Sequence, residues 1–172
     1  MAIFFYGCMT LDGYLADKNN EIGWLHDLGT VEETTYSEFY NQMDILIMGR
    51  KTFDEIKEMA HLENFYGATK NYVFTHQKNI ETELFETVTG DVVEFISSLP
   101  PEKNVWIVGG NSLMAPILDN HLIDKMYLQV APVLLGEGVS LFTQKKGKQV
   151  FRLLETHQYG QFAEMVLEKI EE

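Results

Sequence analysis

Asp44-Ile45-Leu46-Ile47-Met48-Gly49-Arg50-Lys51-Thr52 is a short apolar, β-branched run that stops on a glycine and continues into two cations and a hydroxyl. Runs of this kind, bounded by turn signals, read as buried strands. The residues after Gly49 open a helix, and there the free N–H groups and the positive helix end favour an anion. Asn104-Val105-Trp106-Ile107-Val108-Gly109-Gly110-Asn111-Ser112 repeats the pattern of strand, glycine and helix start. Consecutive glycines let the backbone approach a ligand closely. Two such junctions at the carboxyl edge of one sheet suit a diphosphate-bearing ligand. The bland alternative is that these glycines only make tight turns.

Outward from these junctions the same style holds. Ala2–Met9 reads as a buried strand followed by the turn Asp12-Gly13, and Thr30–Met43 as a helix. Thr52 is placed to cap a helix over Phe53–Met59, with Glu55 where a capping box needs it. Asn71–Thr75 and Thr82–Val88 are further strands, and Asp91 caps a helix over Val92–Leu99 that Pro100-Pro101 stops. Ser112–Leu118 reads as a helix and Lys125–Val130 as a strand. Val150–Gln158 and Gln161–Ile170, joined at Tyr159-Gly160, form a terminal antiparallel hairpin. Strands alternating with helices give an α/β fold with a mostly parallel sheet and an antiparallel edge, expected as one domain over 1–172.

Composition narrows the function. The 172 residues are 45% apolar and 23% charged, which is ordinary globular composition. Thirteen Lys and Arg against 26 Asp and Glu leave a net charge of −13, which argues against nucleic acid and anionic membranes as partners. No run reaches the roughly 18 apolar residues of a spanning helix. The amino terminus lacks a basic leader, so a cytoplasmic location is expected. Cys8 is the one cysteine, and the five histidines show no HExxH or close pairing, so no metal site is expected. A Gly-x-Ser-x-Gly elbow is absent, Phe142 breaks a Walker loop before Gly147-Lys148, and Leu141 replaces the third glycine after Gly136-Glu137-Gly138.

Five segments, taken in order, carry a resemblance: Thr10-Leu11-Asp12-Gly13-Tyr14-Leu15-Ala16, Met48-Gly49-Arg50-Lys51-Thr52-Phe53, Val73-Phe74-Thr75-His76, Val108-Gly109-Gly110 and Pro132-Val133-Leu134-Leu135-Gly136-Glu137-Gly138. Together they resemble the dihydrofolate-reductase-like superfamily. The match is closest to the C-terminal reductase domain of the riboflavin-biosynthesis deaminase–reductase and its stand-alone relatives. The resemblance implies a three-layer fold with an eight-stranded mixed sheet that binds NADPH at its strand ends. Cys8 and Met9 would line the nicotinamide side, with Leu15 and Ala16 covering the cofactor. Gly49, Arg50, Lys51 and Thr52 match the segment for the 2′-phosphate and diphosphate. Thr75 and His76 match the adenosine side, and Val108, Gly109, Gly110, Asn111, Ser112 and Leu113 the second diphosphate segment. Relatives of this kind are commonly dimers, so a homodimer is implied.

The implied activity is hydride transfer to a small heterocycle, as in a 5-amino-6-(5-phosphoribosylamino)uracil reductase. Two departures bear on the substrate. No His-x-Glu and no Pro-Cys-x-x-Cys is present, so the zinc deaminase half is missing. The riboflavin-pathway reductase also carries a lysine on its first strand and an arginine cluster for a substrate phosphate, whereas the corresponding strand here, Ile3–Met9, has no basic residue. The alternatives are dihydrofolate reductase activity, a non-catalytic nucleotide-binding module, and a structural domain. For the first, counting back from Gly49 places the acid at Glu33, whereas aligning Phe39 places Thr35 there. Phe39, Gln42 and Leu134 are expected to line the substrate pocket beside Met9.

Overall fold

The computed structural model of the chain, described for residues 1–26, 28, 34–77 and 82–170, begins with the strand β1 (Ala2–Thr10). A three-residue strand β2 (Tyr14–Ala16) and the helices α1 (Gly23–His26) and α2 (Tyr36–Tyr40) follow. Next come β3 (Ile45–Gly49), α3 (Arg50–Ile56), α4 (Leu62–Tyr66), β4 (Lys70–Phe74) and β5 (Phe85–Val88). After α5 (Val92–Ser97) the chain runs through β6 (Asn104–Gly109), α6 (Asn111–Asp119), β7 (Lys125–Ala131) and β8 (Val139–Ser140). It closes on β9 (Phe151–Tyr159) and β10 (Phe162–Lys169).

Eight strands form one sheet in the order β5-β4-β3-β6-β1-β7-β10-β9. The first six are parallel, and the terminal hairpin adds β10 antiparallel to β7 and β9 antiparallel to β10. This is the mixed sheet and closing hairpin expected from the alternation of elements. Because side chains alternate across a strand, β3 sends Ile45 and Ile47 to one face and Leu46 and Met48 to the other. On the first face Met114 and Ile117 of α6 and Ile96 of α5 close the core. On the second, Phe39 of α2, Phe53 of α3 and Tyr66 of α4 do so. The fold is therefore three-layered. None of the described helices is long and apolar enough to cross a membrane.

Two local expectations are corrected, and one pairing is new. The helix after β3 starts at Arg50, with Gly49 extended as its cap, so Thr52 lies inside the first turn and caps nothing. Arg50 and Lys51 are good helix formers and take up helical geometry directly after the extended Gly49. Of the helix expected over 30–43, the described part, 34–43, is helical over Tyr36–Tyr40, and the candidate acid Glu33 lies outside the described residues. The pairing of β2 with β8, Tyr14↔Ser140 and Ala16↔Val139, had no counterpart in the sequence reading.

That small second sheet is tethered by Asp12. Its carboxylate accepts from the Thr10 hydroxyl at 2.6 Å and from the Leu135 and Gly136 N–H groups at 3.1 and 2.8 Å. The Thr10 hydroxyl and the Gly136 N–H hold the Asp12 carboxyl below the ordinary aspartate range. A carboxyl depressed in the folded state stabilises fully above its unfolded value, and that contribution is lost as pH falls through the folded one. The clasp should thus be complete at neutral pH and still closed at the ordinary aspartate value of about 3.9, opening only as the pH falls further. Amide hydrogen exchange is expected to accelerate several-fold at Leu135 and Gly136 in Asp12→Ala, while the core amides of Phe5 and Ile107 stay slow. Equal protection in the variant would show that the loop is held by other contacts.

Candidate functional site

β1 and β6 run side by side from Ala2↔Asn104 to Phe5↔Ile107, and there their pairing ends. β1 stays on β7 as far as Thr10↔Ala131, while β6 stays on β3 as far as Gly109. The two central strands therefore part at their carboxyl ends. The strand order also reverses here, with β4 and β5 built out on one side and β7 on the other, the place where open α/β sheets bind ligands. A cleft of about 1240 Å³ opens across this edge. It runs from Thr75 and His76 after β4, over the Gly49 and Gly109-Gly110 junctions, to Gly7 and Cys8 of β1 and on to β2 and α1.

The two glycine junctions meet. A Cβ built on Gly49 would stand 3.5 Å from the Gly110 nitrogen, and one on Gly110 would stand 3.7 Å from Thr52 Oγ1. Both are ordinary contacts, so the backbones approach closely without filling the space between them. Gly109 has φ +131°, a conformation that side chains rarely adopt. Neither α3 nor α6 has a side chain bonded to its first N–H groups, because each is capped by glycine. α5 is built differently: Asp91 Oδ1 accepts from Val93 and Glu94 N–H at 2.7 and 3.0 Å. The orphan donors of a helix start need partners, and at α3 and α6 they face the cleft.

Arg50 stands at the same junction. Its Nε donates to Asp54 at 2.8 Å and Nη1 to Gln77 at 2.8 Å, which fixes the guanidinium between α3 and the end of β4. The bond from Arg50 holds Asp54 below the usual carboxylate range. Two of five guanidinium donors are thereby used.

Of the residues singled out in the sequence, the cleft gathers Cys8, Leu15, Ala16, Gly49, Arg50, Lys51 and Thr52. It also gathers Thr75, His76 and the run from Val108 to Leu113. Burial pushes the Cys8 thiol up to about 12, so it stays protonated and is no nucleophile at neutral pH. Four residues lie elsewhere. Met9 packs against the core beside α5 and α6. Phe39 is 1% exposed and wedged against Tyr6, Trp106 and Tyr127, a core residue where a substrate contact was expected. Gln42 sits at the opposite edge of the sheet, where its carbonyl accepts from Asn104 at the start of β6. Leu134 is 71% exposed on the loop after β7 and does not line the cleft.

Other residues went unread in the sequence. Ile22, Trp24 and Leu25, on and beside α1, line the cleft. Glu164 of β10 is fully buried on the sheet face that Tyr6, Cys8 and Gln129 share. Thr35 Oγ1 lies 3.0 and 2.9 Å from its two oxygens, and Gln129 Nε2 donates to one of them at 3.0 Å. The same amide donates to Tyr6 Oη at 2.8 Å, and burial raises the Tyr6 phenol above its ordinary value.

Known proteins share both sequence and fold with this chain. The uncharacterized protein YwjB of Bacillus subtilis is 31% identical over 163 residues, covering 93% of each chain. A putative riboflavin biosynthesis protein from Shewanella superposes with a TM-score of 0.85 at 23% identity, covering 99% of this chain and all of that one. A dihydrofolate reductase from Enterococcus faecalis, solved with NADP(H), superposes with a TM-score of 0.66 at 11% identity, covering 99% and 97%. These likenesses at low identity establish the dihydrofolate-reductase-like architecture. Residues 3–164 match the model of the RibD C-terminal domain. The chain belongs to the RibD C-terminal domain family.

Proposed function

We propose that this protein is an NADPH-dependent reductase of the riboflavin-biosynthesis C-terminal type, acting on a small heterocyclic substrate. The observation that carries this reading is the convergence of two glycine-capped helix starts, with Arg50 beside them, at the point where β1 and β6 part. The cleft is long enough to hold a dinucleotide across four strand ends, since neighbouring strands are about 4.8 Å apart. When bound, the cofactor supplies a hydride to the substrate. The chain's own residues bind and orient. The N–H groups that open α3 and α6 would take the diphosphate, and Arg50, Lys51 and Thr52 the 2′-phosphate. Thr75 and His76 would flank the adenosine, while Gly7, Cys8, Leu15 and Ala16 would keep water from the reacting end.

A charge-assisted hydrogen bond contributes about 1.5–3 kcal/mol. Arg50→Ala is therefore expected to weaken NADPH by roughly ten- to a hundred-fold in a fluorescence titration, with NADH nearly indifferent. Equal losses for both cofactors would show that Arg50 does not read the 2′-phosphate. Gly110→Ala should fold normally, because its Cβ has room, yet lose most cofactor affinity as the methyl enters the diphosphate path.

The homodimer belongs to the same reading. β9 ends the sheet with an open edge and exposes Leu153 and Leu154. Unprotected edges of this kind are usually paired or covered, and a second copy would cover both. Light scattering should give twice the chain mass of 19.8 kDa, and Leu153→Lys should shift it toward monomer. A monomeric mass for the wild type at micromolar concentration would sink the dimer.

A further inference from the structure

The formal charges that line the cleft cancel. Among the described lining residues the cations Arg50 and Lys51 stand against the anions Glu55 and Asp91. All four come from α3 and the start of α5, at the outer end of the cleft. Net charge therefore does not draw a phosphate to this end. A preference for one has to come from donors that are aimed and already held.

Arg50 is such a donor. A free arginine has many rotamers to give up when it binds, but this one is gripped from two sides. Asp54, one turn further along α3, accepts from Nε at 2.8 Å. The other Asp54 oxygen pairs with Lys57 at 3.0 Å, so the carboxylate is itself pinned to the helix. The second grip comes from the neighbouring strand end. Gly49 pairs with Phe74 where β3 and β4 finish, and three residues beyond Phe74 the amide oxygen of Gln77 accepts from Nη1 at 2.8 Å. Gln77 is steadied in turn, because its backbone N–H donates to the hydroxyl of the buried Thr75 at 3.1 Å. Both Arg50 and Gln77 line the cleft. The Nη2 amino group, by contrast, meets no acceptor among the described residues.

We infer that Gln77 is a positioning residue that sets the preference of the outer end for a phosphorylated over an unphosphorylated ribose. It does so by holding the guanidinium across two strand ends with Nη2 left free for the phosphate. Asp54 alone fixes only the inner part of the side chain, and the outer amino groups would swing without Gln77. The inference rests on the reductase reading for the adenosine lying at this end. It goes beyond that reading in giving the discrimination to a residue that need not touch the ligand.

Half-molecules of the cofactor make the test, since they do not reach the reacting end. Adenosine 2′,5′-bisphosphate and adenosine 5′-monophosphate are titrated by calorimetry, and the ratio of their dissociation constants is read. The wild type should prefer the bisphosphate by roughly ten-fold or more. Gln77→Met keeps the length of an exposed side chain and removes the acceptor. It should lower the ratio about three- to ten-fold, the scale of one long side chain ordered on binding. Nearly all of that loss should fall on the bisphosphate. In an Arg50→Ala background the same substitution should leave the ratio unchanged within about two-fold, because nothing remains to be positioned.

An unchanged ratio in Gln77→Met, with thermal melting showing a folded protein, overturns the inference. So does an equal loss in the Arg50→Ala background, which would show that the Gln77 amide meets the phosphate itself. A wild type that binds the two half-molecules alike overturns it as well. Hydride transfer from NADPH is assayed separately. Its absence over a panel of heterocycles sinks the reductase reading, while the ratio of the half-molecules still decides the role of Gln77.

Discussion

Beyond Phe5 the first strand loses one neighbour and keeps the other, and the site follows from that. β1 follows β7, which it pairs through seven residues, while β6 follows β3 as far as Gly109. The backbone groups of Gly7 and Cys8 on one bank and of Val108 on the other are left outside the β1–β6 ladder. Buried backbone polar groups need partners, so a gap of this kind stays wet or takes a ligand. Gly7 belongs to the same geometry: a Cβ there would fall 2.5 Å from the ring of Phe5. The Phe5 ring that closes the core beneath the cleft thus occupies the place a larger residue would need.

Three helices open on the cleft, and they are capped differently. Asp91 satisfies the first N–H groups of α5 with its own carboxylate. α3 and α6 forgo that stabilisation, worth about 1 kcal/mol for a good cap, and both point into the cleft. Thr52 shows how narrow the margin is. Sequence alone makes it a plausible cap, but the helix begins two residues earlier and turns its hydroxyl toward Gly110 instead.

Strands were legible because β-branched runs ending in glycine admit few other readings, and so were both glycine junctions. The places of Phe39, Gln42, Trp24 and Glu164 were not. Helical periodicity tells which residues of α2 share a face but not what that face meets, so Phe39 read as well for a pocket as for a core. Gln42 had a usable signal that went unused. It lies three residues before β3, so it must sit at the amino edge of the sheet, opposite the glycines. Trp24 belongs to a four-residue helix, too short for any periodic signal. Glu164 was hidden by context: in a terminal hairpin an alternating glutamate reads as solvated, and only the pairing of β10 with β7 buries it.

That burial is costly enough to need a reason. Taking a carboxylate out of water costs several kcal/mol, and hydrogen bonds to a charged group return about 1.5–3 kcal/mol each. Thr35 and Gln129 therefore offset the cost without leaving a surplus, and an apolar residue of similar volume would pack here with no such compensation to arrange. Gln129 is committed to the same end, since its amide also holds the Tyr6 hydroxyl. Four polar groups from β1, β7, β10 and the approach to α2 are thus locked together on an otherwise apolar face. A fully connected buried network fixes geometry more than it adds stability. What it fixes here is the seat of β1, β7 and β10 against the approach to α2, directly behind the strand that brings Cys8 to the cleft.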